Sequence, residues 1–357
     1  MKRGAHLKLF LINLGIASFA IVFTCLASEF SIRLVKGKWT DTHHVLLSKL
    51  HLMSSSYPVA YDRFLGWIPK AHSSAGNELW LNKKVTIMNN QLRSNGNNGS
   101  FAKKPLIVAV GDSFTFGDEV SDNETWPAIL ERLSNDKVLN GGVFGYGLDQ
   151  IVLRAEALSK VYSPDLLIVS FIPEDIDRCE FSVRNGAAKP YFIIENGKLV
   201  LKNSVTPTVK QLPIHFDRFR KIFGYSYLVH SIMIRLNPEY WLLGSESRNV
   251  RIHHQGFEIT RLLLERLSDF AAERNIRTLI LIQDGRYTTP ENALKISSLL
   301  AIAKMDHLEV INFLPTLQKM KKEDPGKFRQ LFLKFHMSPK GSEWVAREIY
   351  ALLTKKS

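Results

Sequence analysis

Cysteine is nearly absent from this 357-residue chain: there are two, and Cys25 lies in an uncharged apolar stretch, which leaves Cys179 no thiol to pair with. A disulfide-built scaffold is excluded, and a single thiol without metal-ligating neighbours reads as a small buried hydrophobe. Acidic residues are also scarce. The 34 Asp and Glu face 47 Lys and Arg, a formal net charge of +13 that favours anionic polysaccharide, lipid headgroups or nucleic acid as partners. The basic residues are scattered, and no basic run is interleaved with aromatics, so no nucleic-acid module is indicated. Repeats and low-complexity segments are missing, as is a glycine-rich phosphate loop ending in Lys and Ser/Thr. Neither His43 with His44 nor His253 with His254 makes a metal site, because adjacent side chains point apart and no carboxylate or cysteine completes a set. No metal and no cofactor is expected.

What is present is an ordinary globular composition, 45% hydrophobic and 23% charged, with one long apolar run. Residues 9–28, LFLINLGIASFAIVFTCLAS, carry no charge and follow Lys2, Arg3 and Lys8; their length matches the roughly 20 residues that cross a bilayer. A single-pass anchor is expected. Cys25 and Ala27 also fit the small-x-small pattern of a cleaved signal peptide, but the apolar run exceeds a usual signal core. Arg33, Lys36 and Lys38 beyond the run balance the three basic residues before it, so charge alone leaves orientation open.

Residues 1–28 thus read as tip and anchor, and 29–103 as a partly helical connector followed by a small strand-rich region broken by Gly66, Gly76, Gly96 and Gly99. From Lys104 apolar runs alternate with helical patterns: PLIVAV (105–110), a helix near 126–134, KVLN (137–140), a helix near 148–162 and LLIVSF (166–171). An irregular insertion occupies about 177–250. The rhythm resumes with an amphipathic helix at 257–274, RTLILIQ (277–283), a helix near 290–304, LEVINF (308–313) and a last helix from 338 to about 354. The expected fold is α/β, a flavodoxin-like doubly wound sheet of five parallel strands within 104–357, behind an N-terminal transmembrane helix.

The segment VAVGDSFTFGDEV sets Gly111, Asp112 and Ser113 directly after an apolar strand, where parallel sheets gather their ligand sites. By itself Gly-Asp-Ser is more often a plain turn. Followed by Thr115 and Gly117, it resembles the first block of the SGNH or GDSL hydrolases. VLNGGVFGYGLDQ, after the second strand, is similar to the family's second block and puts its oxyanion glycine at Gly145; Gly141, Gly142 and Gly147 read as turn glycines. FHMSPKGSEWVAREIY resembles the last block, with His336, Ser338, Pro339 and Gly341 in the family spacing. The likeness spans about 104–354, and YDRFLGWIPK and SEFSIRLV are similar to membrane-anchored bacterial members.

The resemblance implies a serine ester hydrolase: Ser113 as nucleophile, His336 as base, an oxyanion hole of the Ser113 and Gly145 N–H groups, and an acyl-enzyme intermediate. Its substrate would be an acylated glycan or lipid of the cell envelope, cleaved or transferred by a domain on the outer side of the inner membrane. Two positions depart from the family. Pro173, Glu174 and Asp175 stand where Gly-Asn-Asp is usual, and an ionised Glu174 cannot donate to an oxyanion as an amide does. Leu333 and Lys334 occupy the places of the aspartate that orients the histidine, so a Ser113–His336 dyad is expected, its ring oriented by a backbone carbonyl or by a carboxylate from outside the motif, with Asp175 and Asp284, each just after a strand, as the candidate substitutes. The alternative is an idle domain of this fold that binds glycan or scaffolds an envelope assembly.

Overall fold

The computed structural model describes residues 2–36, 59–71, 83–97, 101–206, 217–241, 249–286 and 289–355. It begins with a 35-residue helix, α1 (Lys2–Lys36). Within it, Phe10–Val35 is long and apolar enough to cross a membrane and is not packed inside the protein. The expected apolar run is contained in α1, but the helix continues eight residues further, into the start of the connector; the rest of the expected connector, with His43 and His44, lies outside the described residues.

A hairpin follows, β1 (Val59–Asp62) with β2 (Gly66–Pro69). Then come β3 (Ala102–Val110), α2 (Ser113–Phe116), α3 (Trp126–Ser134), β4 (Asp136–Asn140), α4 (Leu148–Tyr162), β5 (Leu166–Phe171) and α5 (Glu174–Arg178). The irregular stretch holds β6 (Phe181–Arg184), β7 (Ala187–Ala188), β8 (Tyr191–Glu195), β9 (Lys198–Lys202), α6 (Arg218–Phe223), α7 (Tyr227–Leu236), α8 (Pro238–Trp241) and β10 (Val250–Arg251). The chain closes with α9 (Gly256–Arg274), β11 (Arg277–Ile282), α10 (Pro290–Ile302), β12 (Leu308–Asn312), α11 (Leu314–Glu323), α12 (Pro325–Gln330) and α13 (Pro339–Lys355). The sequence patterns assigned no element between 314 and 337; there Pro315 and Pro325 each sit in the first turn of a helix, where a missing N–H costs nothing.

Five strands form one parallel sheet in the order β12-β11-β5-β3-β4. Counted along the chain this is 2-1-3-4-5, the flavodoxin-like order. Both faces are covered, which is why the strands read as unbroken apolar runs. Side chains alternate between two cores: Val108 and Val110 pack with Ile151 of α4 and Leu263 of α9, while Ile107 and Ala109 pack with Leu130 of α3 and Val345 of α13. Each fully buried aliphatic residue contributes about 1.5–3 kcal/mol. Because β3 has β4 on one side and β5 on the other, the chain winds in opposite directions from it, and a crevice opens beyond the carboxyl ends of these strands. The loops after β3, β4 and β5 meet there.

The stretch 181–189 is tied to this core by a buried charge pair, Lys189 with Asp149 of α4, both fully excluded from solvent. Lys189 Nζ also donates to the carbonyls of Phe181 at 3.2 Å and Arg178 at 3.4 Å. Removing one partner of such a pair strands the other charge, so Lys189→Met is expected to lower stability by about 3–5 kcal/mol. Chemical denaturation measures this. A loss below about 1 kcal/mol would show that Asp149 is satisfied without the lysine.

Candidate active site

Asp112 caps α2: its Oδ1 accepts from Phe114 N at 2.9 Å, so the serine that follows begins the helix. The preceding position must be glycine, because a Cβ on Gly111 would stand 2.2 Å from Thr115 Oγ1 and 2.7 Å from the Ser170 carbonyl. Ser113 is thereby pressed against the end of the sheet, 6% exposed.

His336 lies on a turn between α12 and α13, pinned by Leu333 N to the His336 carbonyl at 2.8 Å and by Ser338 N to the Leu331 carbonyl at 2.8 Å. Ser338 Oγ donates to the Gln330 carbonyl and accepts from Gly341 N. The turn leaves Nε2 2.9 Å from Ser113 Oγ, across 223 residues of chain. Among the described residues the competing partner of that hydroxyl is Asp112 Oδ2 at 3.5 Å, too long to hold the proton against the imidazole. Phe114 packs beside the ring, centroids 5.2 Å apart.

The carboxylate facing the other ring nitrogen is Glu119. Its Oε2 is 3.3 Å from His336 Nδ1 and accepts from the backbone N–H groups of His336 at 2.9 Å and Phe335 at 3.1 Å. Neither expected substitute takes this place. Asp175 is bound instead to Arg178 Nη1 and accepts from Ile172 N at 3.1 Å. Asp284 is buried at the end of β11, and the ring contacts of His336 run to Ser113, Glu119, Asp118 and Phe114. Leu333 and Lys334 contribute no carboxylate; Lys334 Nζ lies over the Phe335 ring.

Glu119 adopts a left-handed backbone, φ 68°, a conformation costing a non-glycine residue on the order of 1–3 kcal/mol. Its loop is braced from below. The buried Arg93 guanidinium donates to the carbonyls of Phe116, Gly117 and Val120 and pairs with Asp122 at 3.4 Å. Arg93 comes from the strand-and-turn region ahead of the sheet, whose β2 also steadies the loop after β4: Trp67 Nε1 donates to the Phe144 carbonyl at 3.0 Å and Tyr146 Oη to the Trp67 carbonyl. Nothing in the sequence patterns assigned Arg93 or Glu119 a role. The signal was an acidic pair, Asp118-Glu119, directly after Gly117.

Neither the Ser113 nor the Gly145 N–H is used by a hydrogen bond within the described residues. Gly145 is at φ 77°, where a side chain would be strained although a Cβ would meet only ordinary contacts, the nearest Trp67 Cζ2 at 3.7 Å, and its carbonyl accepts from Arg184 Nε at 2.8 Å. The two loops are stitched by Arg178 Nη1, which reaches Asp112 Oδ2 at 3.1 Å and the Tyr146 carbonyl at 2.9 Å. Glu174 opens α5 beyond β5, and its Oε2 is buried without a hydrogen-bond partner.

The electrostatics of this cluster are coupled. Burial works to raise the Glu119 carboxyl, but hydrogen bonds from the His336 ring and from the His336 and Phe335 N–H groups hold it down to about 2. Burial likewise works to lower His336; the Glu119 hydrogen bond and the charges of Asp118, Asp112 and Glu119 outweigh it and raise the ring above 6.5. Asp118, whose Oδ2 is 3.8 Å from His336 Nε2, is pushed up to about 7 by burial, against the attraction of His336 and Arg93. Burial pushes the Cys179 thiol up, which suits an inert core residue. Among the described residues no group of three or more His, Cys, Asp or Glu is placed to hold a metal ion.

No family model and no curated protein matches the chain. Among solved structures it is similar to a protein assigned to the lipolytic G-D-S-L family from Desulfitobacterium hafniense, with 16% identity, a TM-score of 0.38, and coverage of 68% of this chain and 97% of that one. It is also similar to a psychrotrophic esterase from Pseudoalteromonas, at 12% identity and TM-score 0.36 over 71% and 98% of the two chains. A third is an alpha/beta hydrolase from the metagenome of Lake Arreo, at 13% identity and TM-score 0.40 over 70% and 95%.

Proposed function

We propose that the chain is a serine ester hydrolase of the SGNH type, held at a membrane by α1, with Ser113, His336 and Glu119 as its triad. The observation that carries this reading is the unbroken chain from Ser113 Oγ to His336 Nε2 at 2.9 Å and from His336 Nδ1 to Glu119 Oε2 at 3.3 Å. A carboxylate at Nδ1 favours the tautomer whose Nε2 is free to accept the serine proton. As that proton moves to Nε2, Ser113 Oγ bonds to the ester carbonyl carbon, and the oxyanion is received by the Ser113 and Gly145 N–H groups. The imidazolium then gives its proton to the leaving alkoxide, and water, or an acceptor alcohol in a transferase, repeats the sequence on the acyl-enzyme. No cofactor enters the cycle.

The substrate in this reading is an acylated glycan or lipid of the cell envelope, and the catalytic domain stands on the periplasmic or extracellular side of the inner membrane. An idle, glycan-binding domain would not need a strained glutamate aimed at the histidine, which weighs against that alternative. Covalent labelling of the full-length protein by a phosphonate ester, with loss of aryl acetate cleavage in step, tests the proposal; an unlabelled, inactive protein would favour the binding domain.

The pH profile supplies a second test. A general base works when neutral, so kcat/KM is expected to rise with pH through the His336 value, above 6.5. Asp118→Asn removes a negative charge that favours the imidazolium, so it should move this acidic limb to lower pH while leaving the plateau within about threefold. A limb that stays in place would mean that the Asp118 carboxyl is uncharged throughout the working range.

A further inference from the structure

The insertion carries a surface that the chemistry above does not use. From Arg218 to Leu236 the chain contains Arg218, Arg220, Lys221 and Arg235 and no acidic residue. Its two helices, α6 and α7, and the turn between them expose large apolar side chains: Ile222 is 67% exposed, Tyr225 58%, Ile232 46% and Leu236 75%. Exposed apolar side chains accompanied on the same two helices by exposed Arg218, Lys221 and Arg235 are costly in water and suit the boundary between acyl chains and anionic headgroups.

What covers it is indicated by where it is fastened. Glu29 of α1 reaches into the first turn of α7, accepting from Tyr227 N at 3.0 Å, Leu228 N at 2.8 Å and Ser226 Oγ at 2.8 Å. Arg33, paired with Glu29 at 2.6 Å, donates to the Tyr225 carbonyl at 2.6 Å, and its guanidinium lies over the Tyr227 ring. The apolar part of α1 is 26 residues, so at 1.5 Å per residue it is about 39 Å long against roughly 30 Å of hydrocarbon. If the span starts near Phe10, about 20 residues bring the helix to the level of Glu29 as it leaves the acyl chains. The fastening point therefore sits at the headgroup boundary, beside Leu34 and Val35, which are themselves exposed.

We infer that α6 and α7 form an interfacial foot that lies in the leaflet from which α1 emerges, with Ile222, Tyr225, Ile232 and Leu236 among the acyl chains and Arg218, Lys221 and Arg235 on anionic headgroups. The foot fixes the catalytic domain close to the membrane surface in a set orientation, so the enzyme acts on esters within reach of that surface. This inference rests on α1 being the membrane anchor proposed above.

The test uses the full chain in vesicles of phosphatidylcholine and phosphatidylglycerol. A Cys25→Ser background leaves only the buried Cys179, and single cysteines at Ile222, Ile232, Phe19 and Val161 carry a fluorophore. Nitroxide lipids then quench from the upper acyl chain or from near the chain end. Labels at Ile222 and Ile232 are expected to be quenched at least about threefold more strongly by the upper-chain nitroxide than the label at Val161, and the Phe19 label most strongly by the deeper one. Quenching at Phe19 with Ile222 and Ile232 behaving like Val161 would overturn the foot and leave the anchor standing. No quenching at Phe19 would remove the anchor and the foot with it. Labels shielded from both lipid and aqueous quenchers, in proportion to protein density, would overturn the foot in favour of a second copy of the chain on this face.

Discussion

Replacing Ser113 with alanine is expected to lower ester turnover on the order of 10⁶-fold, the size of loss seen when the nucleophile of a full triad is removed. The deleted atom is one hydroxyl oxygen, whose partners are His336 Nε2 at 2.9 Å and, more weakly, Asp112 Oδ2 at 3.5 Å. The Asp112 cap and the Gly111 approach use other atoms, so the fold should persist with little change in thermal midpoint. Residual rate above water, from the Ser113 and Gly145 N–H groups and substrate binding, should remain. A phosphonate that labels the wild type should not label this variant. Labelling or turnover at the wild-type level would place the nucleophile elsewhere and remove the hydrolase reading as drawn.

The second large effect is expected at Glu119. Changing it to glutamine keeps the length of the side chain and an oxygen able to accept from the Phe335 and His336 N–H groups, but removes the charge that faces Nδ1. In a related triad the amide in place of the carboxylate costs about 10⁴ in kcat, and a loss on the order of 10³–10⁴ is expected here. A merely structural role for Glu119 would lower stability without moving the pH profile. A triad role makes a separate forecast: because the carboxylate favours the imidazolium, its loss lowers the His336 value and carries the acidic limb of kcat/KM to lower pH. Wild-type turnover with an unmoved limb in Glu119→Gln would leave a Ser113–His336 dyad, with Asp118, 3.8 Å from Nε2, as the nearest remaining carboxylate.

The sheet was legible because its residues meet a repetitive demand. Strands buried on both faces must be apolar throughout, and LLIVSF and RTLILI can serve little else, so β5 and β11 fall where the sequence patterns put them. The helices on the two faces follow from a 3.6-residue period, and α3 and α4 have the expected bounds. Legibility ended where structure depends on contacts remote in sequence. The stretch YSYLVHSIMIRL is apolar nearly all round and has no decisive period; as α7 it is placed by Glu29, almost 200 residues earlier. The segments YFIIE and KLVLK, by contrast, pair locally as the hairpin β8–β9.

The candidate site divides along the same line. Ser113, His336 and Gly145 stand in local motifs whose neighbours, Asp112, Gly111 and Gly341, shape each turn from within a few residues, so sequence by itself determined which residues to bring forward, along with the fold class and the apolar run of α1. Only the tertiary structure decided how they meet. The carboxylate at His336 Nδ1 is supplied by Glu119, on a left-handed loop held by Arg93, and not by Asp175, which Arg178 retains, or by Asp284 at the end of β11. The physical reason is that a hydrogen bond between distant side chains depends on strand order and loop path to within a few tenths of an ångström. Hydrophobic periodicity records which face a residue turns to, and it holds no record of that distance.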